Sequence, residues 1–575
     1  MGGGFQTFLA CLIAIFGVSF IGACDQVSSA ESEPKAPPNI ILVLFEDLSP
    51  RFGSFGDPVA HTPAFDRIAS EGIRYSRVFT SSGVCAPSRA ALISGRYQHT
   101  IGAQHMRTRG PQGLPIELPG GGPAEYLAVP PVDMKAFPEL LRASGYYTSN
   151  DAKTDYQFGE PSSIWDVSGP GTDWSGRANG QPFFHMQTIL TTHESAIWPV
   201  DMEPTNIIEQ VIVSRNRNIF ASRVARTDPA AVEVPPYLPD TPAVRRDIAT
   251  HYDNIAFSDA ALGTLYERLA SEGLLENTIL IVSTDHGDGL PRMKRSLYDS
   301  GLLVPMIIRF PDGRGASEEI DELISFIDLA PTILSWADTQ SPSALHGFDF
   351  DGEDRDPPRQ FIFAAQDRMD VDTDRRRAVR NGRFKYIRNY IDGDAYFSPI
   401  PFRDSQPTMK ALWAGLEEGT LSAAARALFD PLPEDQLYDT LNDPHEINNL
   451  AGSAEYSSVQ AELEAALDSW LETFGDLSAE SEADMIENFW PNGVQPKTAP
   501  VDFNIVESGV VSLSSVTPGA SIEYAVGEGD RWTLYTAPFQ LPPGTELRAR
   551  AVRYGYEESP ITDFNASSEI DGTQR

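Results

Sequence analysis

The sequence predicts an α/β fold that is built on a large, mostly parallel central sheet. Three near-continuous apolar runs, at 39–45, 278–282 and 303–310, have the pattern of strands that are covered on both faces. Helical patterns lie between them, and the longest extends from Thr241 to Gly273, where Glu272-Gly273 is a stop signal. Because strands that alternate with helices form open α/β sheets, we assign residues 39–375 to one α/β domain.

Two smaller units are predicted after this domain. Residues 376–490 carry a hairpin signal around Asn381-Gly382 and an amphipathic helix from Ser458 to Phe474, with Ser458 as its N-cap, so they form a small α+β subdomain. Residues 491–500 contain Pro and Gly and are predicted to be a linker. Residues 501–567 contain short segments with the alternating pattern of strands, separated by Pro-Gly turns, which indicates a small β-sandwich.

The N-terminus has the pattern of an export signal. The apolar run Phe8–Ile21 is too short to span a membrane, so we expect residues 1–23 to be a signal peptide. Ile21-Gly22-Ala23-Cys24 resembles a bacterial lipobox, which predicts lipidation of Cys24, a tether at 24–38 and a membrane-anchored protein in the periplasm or on the cell surface. Met1–Ala10 lacks the usual basic residues, and an ordinary cleaved signal is the alternative.

The charge of the chain excludes one class of partner. With 44 Lys+Arg against 81 Asp+Glu, the 575 residues carry a net charge of −37. Nucleic acids require a basic footprint, so no nucleic-acid partner is expected. An anionic substrate needs a local basic pocket that overcomes the overall repulsion.

Polar side chains follow several of the predicted strands. Glu46-Asp47 follows the first run, Asp285-His286 the second, His193 the strand 183–190, and Lys153 the strand 146–149. Ligands of open α/β sheets bind outside the carboxyl ends of the strands, so we expect these groups to converge. Glu46, Asp47, Asp285 and His286 form an oxygen-rich set that suits Ca²⁺ or Mg²⁺, and the imidazole also allows Mn²⁺.

Cys85 is the one cysteine in the body of the predicted mature chain, after the tether. Cys11 lies in the signal and Cys24 in the lipobox, so no disulfide within the mature chain is expected. Cys85 precedes Pro87 at the start of a predicted helix, where the helix dipole favours an anionic group. These features alone make it a candidate reactive thiol.

The surrounding motif is similar to that of a known family. Cys85-Ala86-Pro87-Ser88-Arg89, followed by Leu92 and Gly95, resembles the type I sulfatase signature C-x-P-S-R-x-x-L-x-T-G, with Ser94 in place of Thr. The resemblance extends from residue 39 to about 450 and includes Asp285-His286-Gly287 and Leu437-Tyr438-Asp439. It implies an alkaline-phosphatase-like sandwich fold, with 39–375 as the catalytic domain, and a sulfuric ester hydrolase.

The resemblance also implies a mechanism. A maturation enzyme would oxidise Cys85 to formylglycine, whose hydrate attacks sulfur beside a divalent metal held by Glu46, Asp47, Asp285, His286 and the group at 85. Arg89 would hold the nucleophile, while Lys153 and Lys294 would grip the sulfate. His193 matches the histidine near the leaving oxygen and is our preferred general acid, since its unperturbed pKa suits that role.

Three positions depart from the family pattern. Glu46 stands where Asp is usual, and His286 where Asn is common, as in choline-sulfatase-like and phosphonate-hydrolase-like relatives. Asp155 replaces a histidine that many members carry two residues after the lysine, and we expect His99 or His105 to compensate for it.

The predicted substrate is a sulfated polysaccharide or glycosaminoglycan fragment. Arg375–Arg388 contains no acid, so Arg377 and Arg380 are candidate contacts to its anionic groups, although a solvated hairpin face explains them equally well. His105 and Arg107 are candidates for the substrate entrance. Two alternatives stay open: a phosphonate or phosphodiester hydrolase of the same superfamily, and an inactive glycan-binding lipoprotein.

Overall fold

The computed structural model describes Met1, residues 36–108, 125–370, 373–391, 393–505, 509–527, Gly529, and residues 531–542 and 544–565. The described residues from Pro37 onward belong to one compact unit. Apart from Met1, the expected signal peptide lies outside the described residues, and so do Cys24 and most of the expected tether.

The largest sheet confirms the predicted mostly parallel α/β architecture. Its strand order is β4-β3-β5-β1-β6-β7-β2-β8, and β9 pairs with β2. All pairings are parallel except those of β7, which is antiparallel to both of its neighbours. The strands are β1 Asn39–Phe45, β2 Ile73–Phe79, β3 Tyr147–Asp151, β4 Val167–Ser168, β5 Phe183–Ile189, β6 Thr278–Thr284, β7 Leu303–Arg309, β8 Glu319–Ile320 and β9 Ile324–Ser325.

Strand β1 is the centre of this domain, and all seven of its residues are buried. Successive side chains of a strand point to opposite faces, so an apolar run supplies two cores. Ile41, Val43 and Phe45 pack on one face, while Ile40, Leu42 and Leu44 pack in a separate cluster on the other. The continuous apolar pattern is therefore explained by burial on both faces.

Helices cover both faces of the sheet and complete the smaller units. The long α5 contributes Val244 and Ile248 to the core that contains Ile41. The helices α2, α3 and α7 supply Ala90, Leu141 and Ile333 to the opposite core. The helices are α1 Pro63–Glu71, α2 Cys85–Ser94, α3 Phe137–Ala143, α4 Ile207–Ile219, α5 Pro242–Ser271, α6 Asp299–Leu302, α7 Leu329–Trp336, α8 Pro401–Asp404, α9 Pro407–Glu418, α10 Ala423–Arg426, α11 Ser457–Phe474 and α12 Glu482–Phe489.

A second, antiparallel sheet has the order β10-β11-β12-β13, and α11 packs on it. Its strands are β10 Ile362–Gln366, β11 Arg376–Arg380, β12 Phe384–Asn389 and β13 Asp435–Asp439. The predicted boundary at 375/376 falls inside this sheet, because β10 pairs with β11 along its whole length. The predicted N-cap of α11 is also wrong: the helix begins at Ser457 and Tyr456 occupies the cap without a side-chain hydrogen bond.

The C-terminal residues form the expected two-sheet β unit. One sheet has the order β14-β15-β18 and the other β17-β16-β19-β20, and residues of both, such as Leu513 and Ala549, share one core. The strands are β14 Asp502–Ile505, β15 Val510–Ser514, β16 Ser521–Val526, β17 Thr533–Leu534, β18 Phe539–Gln540, β19 Glu546–Val552 and β20 Thr562–Asn565.

This β unit is packed tightly against the first domain. The Tyr554 hydroxyl donates to Glu139 Oε2 over 2.5 Å, and its ring stacks on Phe158 at a centroid distance of 5.3 Å. The backbone N–H of Gly555 donates to the carbonyl of Phe158 over 3.2 Å. The β unit therefore supports the loop that follows Lys153.

None of the helices in the described part of the chain combines the length and apolar character that crossing a bilayer requires.

Candidate active site

The polar residues that follow the strands meet at one edge of the large sheet. β1, β5 and β6 are parallel neighbours, so their carboxyl ends lie together. Asp47 follows β1, His193 follows β5, and Asp285 follows β6. The backbone N–H of Asp47 donates to Asp285 Oδ1 over 3.1 Å, which joins the ends of β1 and β6 directly.

Cys85 lies at the first position of α2, and its side chain is buried. Its Sγ atom lies 3.3 Å from His286 Nε2, 3.8 Å from Asp47 Oδ1 and 3.2 Å from Lys294 Nζ. The amino end of a helix favours negative charge, so an anionic oxygen at this position would be stabilised by the helix as well as by Lys294. The thiol predicted from sequence thus lies among the predicted metal ligands.

Two overlapping groups of side chains have donor atoms within 4.8 Å of one another. One contains Asp47, Cys85, Asp285 and His286, and the other contains Glu46, Asp47, Cys85 and His193. His286 directs Nδ1 to the carbonyl oxygen of Gly287 at 2.9 Å, which leaves Nε2 facing Asp47 at 3.1 Å. A backbone acceptor of this kind orients a metal-binding imidazole.

The charges of these groups fit a divalent cation. Burial lowers the pKa of His286, but Asp285 and Asp47 outweigh it and raise that pKa well above its usual value. Two carboxylates beside the imidazole make this point favourable for positive charge, which a divalent ion would supply. Carboxylates with one imidazole suit Ca²⁺, Mg²⁺ or Mn²⁺, and Asp47, Asp285 and His286 are the residues that would hold the ion.

Glu46 is engaged differently from the other predicted ligands. One of its oxygens forms an ion pair with Arg89, and the other lies 2.6 Å from Lys153 Nζ. Arg89 also donates to Asp285 Oδ2 over 3.2 Å. Glu46 therefore contacts both cations, and it belongs to the candidate metal group with Asp47, Cys85 and His193 rather than to the one with Asp285 and His286.

Lys294 lies in a buried network that sequence reasoning only partly anticipated. Its ammonium donates to Asp47 Oδ1 and Oδ2 over 2.9 and 2.7 Å. It also lies 3.2 Å from Glu194 Oε1, and Glu194 forms a two-point ion pair with Arg295. Burial raises the pKa of Asp47, but Lys294 and the neighbouring histidines hold it well below its usual range. Glu194 and Arg295 were missed, although each directly follows a predicted site residue.

His193 points its Nε2 atom toward Lys294, 3.4 Å away, and its Nδ1 toward Ser195 Oγ, 2.7 Å away. Burial and then Lys294 lower the pKa of His193 to about 3. The expectation that His193 has an unperturbed pKa near neutrality is therefore wrong for the folded protein without substrate. A neutral imidazole can still donate a hydrogen bond to a leaving oxygen.

Two of the predicted substrate contacts are corrected by their burial. Arg377 is fully buried and forms ion pairs with Asp367 and Asp476. Arg380 is also buried and donates to Thr440 Oγ1 over 2.9 Å. Neither guanidinium is available to a substrate or solvated on a hairpin face, because β11 lies inside the antiparallel sheet between β10 and β12.

The two histidines expected to compensate for Asp155 lie elsewhere. His99 is buried against Tyr97 and Trp470, and burial lowers its pKa to about 3. His105 is buried beside a cavity that is also lined by Asp367 and Glu482. Among the described residues, neither ring forms a hydrogen bond with a residue of the Cys85 cluster.

Arg107 remains a candidate for the substrate entrance. Its side chain is 30% exposed and lies 3.5 Å from Asp370. It lines a cavity of about 300 Å³ together with Asp155, Gln157 and Glu160. Asp155 lies 3.5 Å from Lys153, so this cavity adjoins the cationic groups around Glu46.

Comparison with known families agrees with this geometry. Residues 38–339 match the sulfatase family model, and residues 292–398 match the model of the N-sulphoglucosamine sulphohydrolase C-terminal region. The first match covers more than half of the chain. The chain therefore belongs to the sulfatase family, whose members have the alkaline-phosphatase-like fold, and it is a sulfuric ester hydrolase.

Individual relatives agree with this assignment. The chain is 39% identical over 568 residues to an ulvan-active sulfatase of Formosa agariphila, and the matched region covers 93% of each chain. It is 25% identical to human N-sulphoglucosamine sulphohydrolase over 76% of this chain and 90% of that one. The structure of BT1596, described as a 2-O GAG sulfatase, shares the fold, with a TM-score of 0.52 and 20% identity, covering 77% of this chain and 94% of that one.

Proposed function

We propose that this protein hydrolyses sulfate esters of ulvan or a related sulfated polysaccharide through a formylglycine formed from Cys85. The observation that carries the proposal is the position of Cys85, whose Sγ lies 3.3 Å from His286 and 3.2 Å from Lys294 in a buried cluster of carboxylates. The 39% identity to an ulvan-active sulfatase, over nearly the whole chain, supports the substrate class.

The residues around position 85 suit a hydrated aldehyde as the nucleophile. Asp47 Oδ1 lies 3.8 Å from the Cys85 side chain and can accept a proton from one hydroxyl. That hydroxyl oxygen forms a bond to sulfur, and the bond from sulfur to the sugar oxygen breaks. The second hydroxyl later loses its proton and expels sulfate, which restores the aldehyde. A serine at this position lacks that second hydroxyl.

A divalent ion held by Asp47, Asp285 and His286 would supply Lewis-acid stabilisation of the sulfate oxygens. Lys153 and Lys294 contribute fixed positive charge beside it. The Lys153 ammonium lies 2.6 Å from Glu46, and burial of Lys153 is outweighed by Cys85 and Glu46, so its pKa is raised. Both lysines are therefore protonated when the substrate binds and meet its negative charge.

The leaving oxygen would depart between His193 and Lys294. Nε2 of His193 and Nζ of Lys294 lie 3.4 Å apart, so one oxygen can approach both. The ammonium of Lys294 supplies the proton to the departing alkoxide, while neutral His193 donates a hydrogen bond. Arg107 and the adjoining cavity would receive neighbouring sugar units.

Mass spectrometry of the peptide around Cys85, from protein made with a maturation enzyme, tests the nucleophile. Conversion of the thiol to the aldehyde lowers the peptide mass, and Cys85→Ala should abolish hydrolysis. An unmodified thiol in native material would favour an inactive glycan-binding protein. Sulfate release from ulvan oligosaccharides, compared with heparan fragments and with an aryl phosphonate, tests the substrate class and the phosphonate alternative.

Removal and return of metal tests the ion site. Chelation should abolish activity, and parallel titrations with Ca²⁺, Mg²⁺ and Mn²⁺ would identify the ion. Calorimetry should show that Asp285→Asn lowers metal affinity at least about tenfold. Unchanged affinity in that variant would contradict the proposed ligand set.

We also propose that the chain is exported and lipidated at Cys24. The support is the sequence Ile21-Gly22-Ala23-Cys24 after an apolar run. Metabolic labelling with a radioactive fatty acid should mark the wild-type protein and leave Cys24→Ala unlabelled. Equal labelling of both proteins would contradict lipidation at this site.

A further inference from the structure

We propose that Ser195 and Arg215 are positioning residues that hold His193 in the tautomer whose Nε2 atom carries the proton. The inference rests on the proposed function, in which His193 faces the leaving oxygen. It concerns the residues behind the imidazole, on the side away from Lys294.

The hydrogen bonds at Nδ1 determine the tautomer. The backbone N–H of Ser195 points to His193 Nδ1 over 3.3 Å, and the Ser195 hydroxyl lies 2.7 Å from the same atom. A backbone N–H can only donate, so Nδ1 must accept and cannot carry a proton. The proton of the neutral ring therefore lies on Nε2.

Arg215 determines the direction of the Ser195 hydroxyl. Its guanidinium donates to Ser195 Oγ over 2.7 Å and has no acceptor atom of its own. This bond occupies a lone pair of Oγ, so the hydroxyl proton is directed to Nδ1. The chain of donors runs from Arg215 through Ser195 to His193.

The backbone around Ser195 is held by the same helix. Asn216, the neighbour of Arg215 on α4, is buried and donates to the carbonyl oxygens of Ser195 and Trp198 over 2.8 and 3.1 Å. The residue pair Arg215-Asn216 thus fixes both the side chain and the main chain of Ser195. Hydrogen bonds that fix Ser195 in this way also hold the imidazole ring of His193 in one orientation.

The charge of Arg215 has no partner of its own in the described part of the chain. It forms no ion pair among the described residues, although the whole chain carries a net charge of −37. Its hydrogen bonds in the described part of the chain go to Ser195 Oγ and Asn216 Oδ1. The guanidinium therefore acts on Ser195 through a direct hydrogen bond.

The consequence concerns the leaving group. The Nε2–H bond would strengthen as negative charge develops on the departing sugar oxygen. The other tautomer would present a lone pair to that oxygen and repel it. No proton is transferred from His193 in this role.

Ser195→Ala tests the inference with two substrates of different leaving group. For an ulvan oligosaccharide, kcat should fall roughly 10- to 100-fold. For 4-nitrophenyl sulfate, whose leaving group is already stable, the fall should be less than about threefold because little charge needs stabilising. Equal losses on both substrates, or no loss on either, would overturn the proposal.

Arg215→Gln has a matched control on the same helix. Arg217 donates to the carbonyls of Val200 and Met202, so Arg217→Gln removes the same charge without touching Ser195. Arg215→Gln should lower kcat on the oligosaccharide selectively, whereas Arg217→Gln should not. A rise in KM without a change in kcat would assign Arg215 to substrate contact and refute the positioning role.

A spectroscopic readout separates this inference from the proposed function. Long-range proton–nitrogen NMR on protein labelled with ¹⁵N-histidine, with the His193→Gln spectrum for assignment, should show the Nε2–H tautomer in the wild type and a mixture in Ser195→Ala. A proton on Nδ1 in the wild type would refute the inference, whether or not the protein is active. Failure of wild-type sulfate hydrolysis would refute the proposed function alone.

Discussion

The ammonium of Lys294 lies 3.2 Å from the Sγ atom of Cys85, although the two residues are 209 positions apart in the chain. The contact joins the loop after β6 to the first turn of α2. A second bond supports it, because the backbone N–H of Arg295 donates to the carbonyl of Gly83 over 2.7 Å. Under the proposed function, Lys294 would therefore act on both the nucleophile and the leaving oxygen.

Lys294→Met should lower kcat on sulfate esters about 100- to 1,000-fold, because it removes a preorganised donor from the transition state. The same variant should leave conversion of Cys85 intact. Steady-state kinetics together with peptide mass spectrometry would measure both effects. A loss of activity that merely follows a loss of Cys85 conversion would contradict a direct role for this lysine.

Arg377→Ala should lower the free energy of unfolding by about 3–5 kcal/mol, since it removes the ion-pair partner of buried Asp367 and one of the two arginines, Arg375 and Arg377, that pair with Asp476. Arg383→Ala is the control, because Arg383 lies in the turn of the same hairpin, pairs with Asp439 of β13 and is 48% exposed, so its loss should change stability much less. Denaturant unfolding would measure the difference. A raised KM with unchanged stability in Arg377→Ala would restore the idea of a substrate contact.

Gly555→Ala should destabilise the contact between the β unit and the first domain. Gly555 has φ of +81°, and a Cβ atom there would lie 2.2 Å from the carbonyl oxygen of Ala128. Gly544 has φ of +78°, and a Cβ atom added there would have no neighbouring atom within 4 Å. Gly544→Ala should therefore show only the cost of holding an alanine at positive φ, about 1 kcal/mol. Thermal unfolding should show a markedly larger loss for Gly555→Ala. Equal losses would argue against close packing at this contact.

Asp247→Asn should reduce the pH dependence of stability. Burial raises the pKa of Asp247 to about 7, despite two hydrogen bonds from Thr408. Between about pH 4 and pH 7 the folded protein holds a proton that the unfolded chain has lost, so this group's contribution to stability falls as pH rises through that window. Melting temperatures at pH 5 and pH 8 should differ less for the variant than for the wild type. Identical differences would contradict the raised pKa.

Local patterns in the sequence were sufficient for the main architecture. The apolar run of β1 predicted a strand buried on both faces, and the alternate packing of Ile41 and Leu42 into separate cores explains why. The motif from Cys85 to Gly95 predicted both the start of α2 and the family. These features could be identified because strand burial and helix entry are encoded by neighbouring residues.

Long-range contacts decided what those patterns left open. Arg377 has the composition of a surface cation, yet the pairing of β10, β11 and β12 buries it beside Asp476, 99 residues away. Ser195 and Arg215 gave no motif, because their link to His193 depends on how α4 packs against the turn after β5. The sequence by itself determined the fold class and the family, since both follow from short-range patterns. Only the tertiary structure decided the electrostatic surroundings of each group, because burial and ion pairing depend on residues that folding brings together.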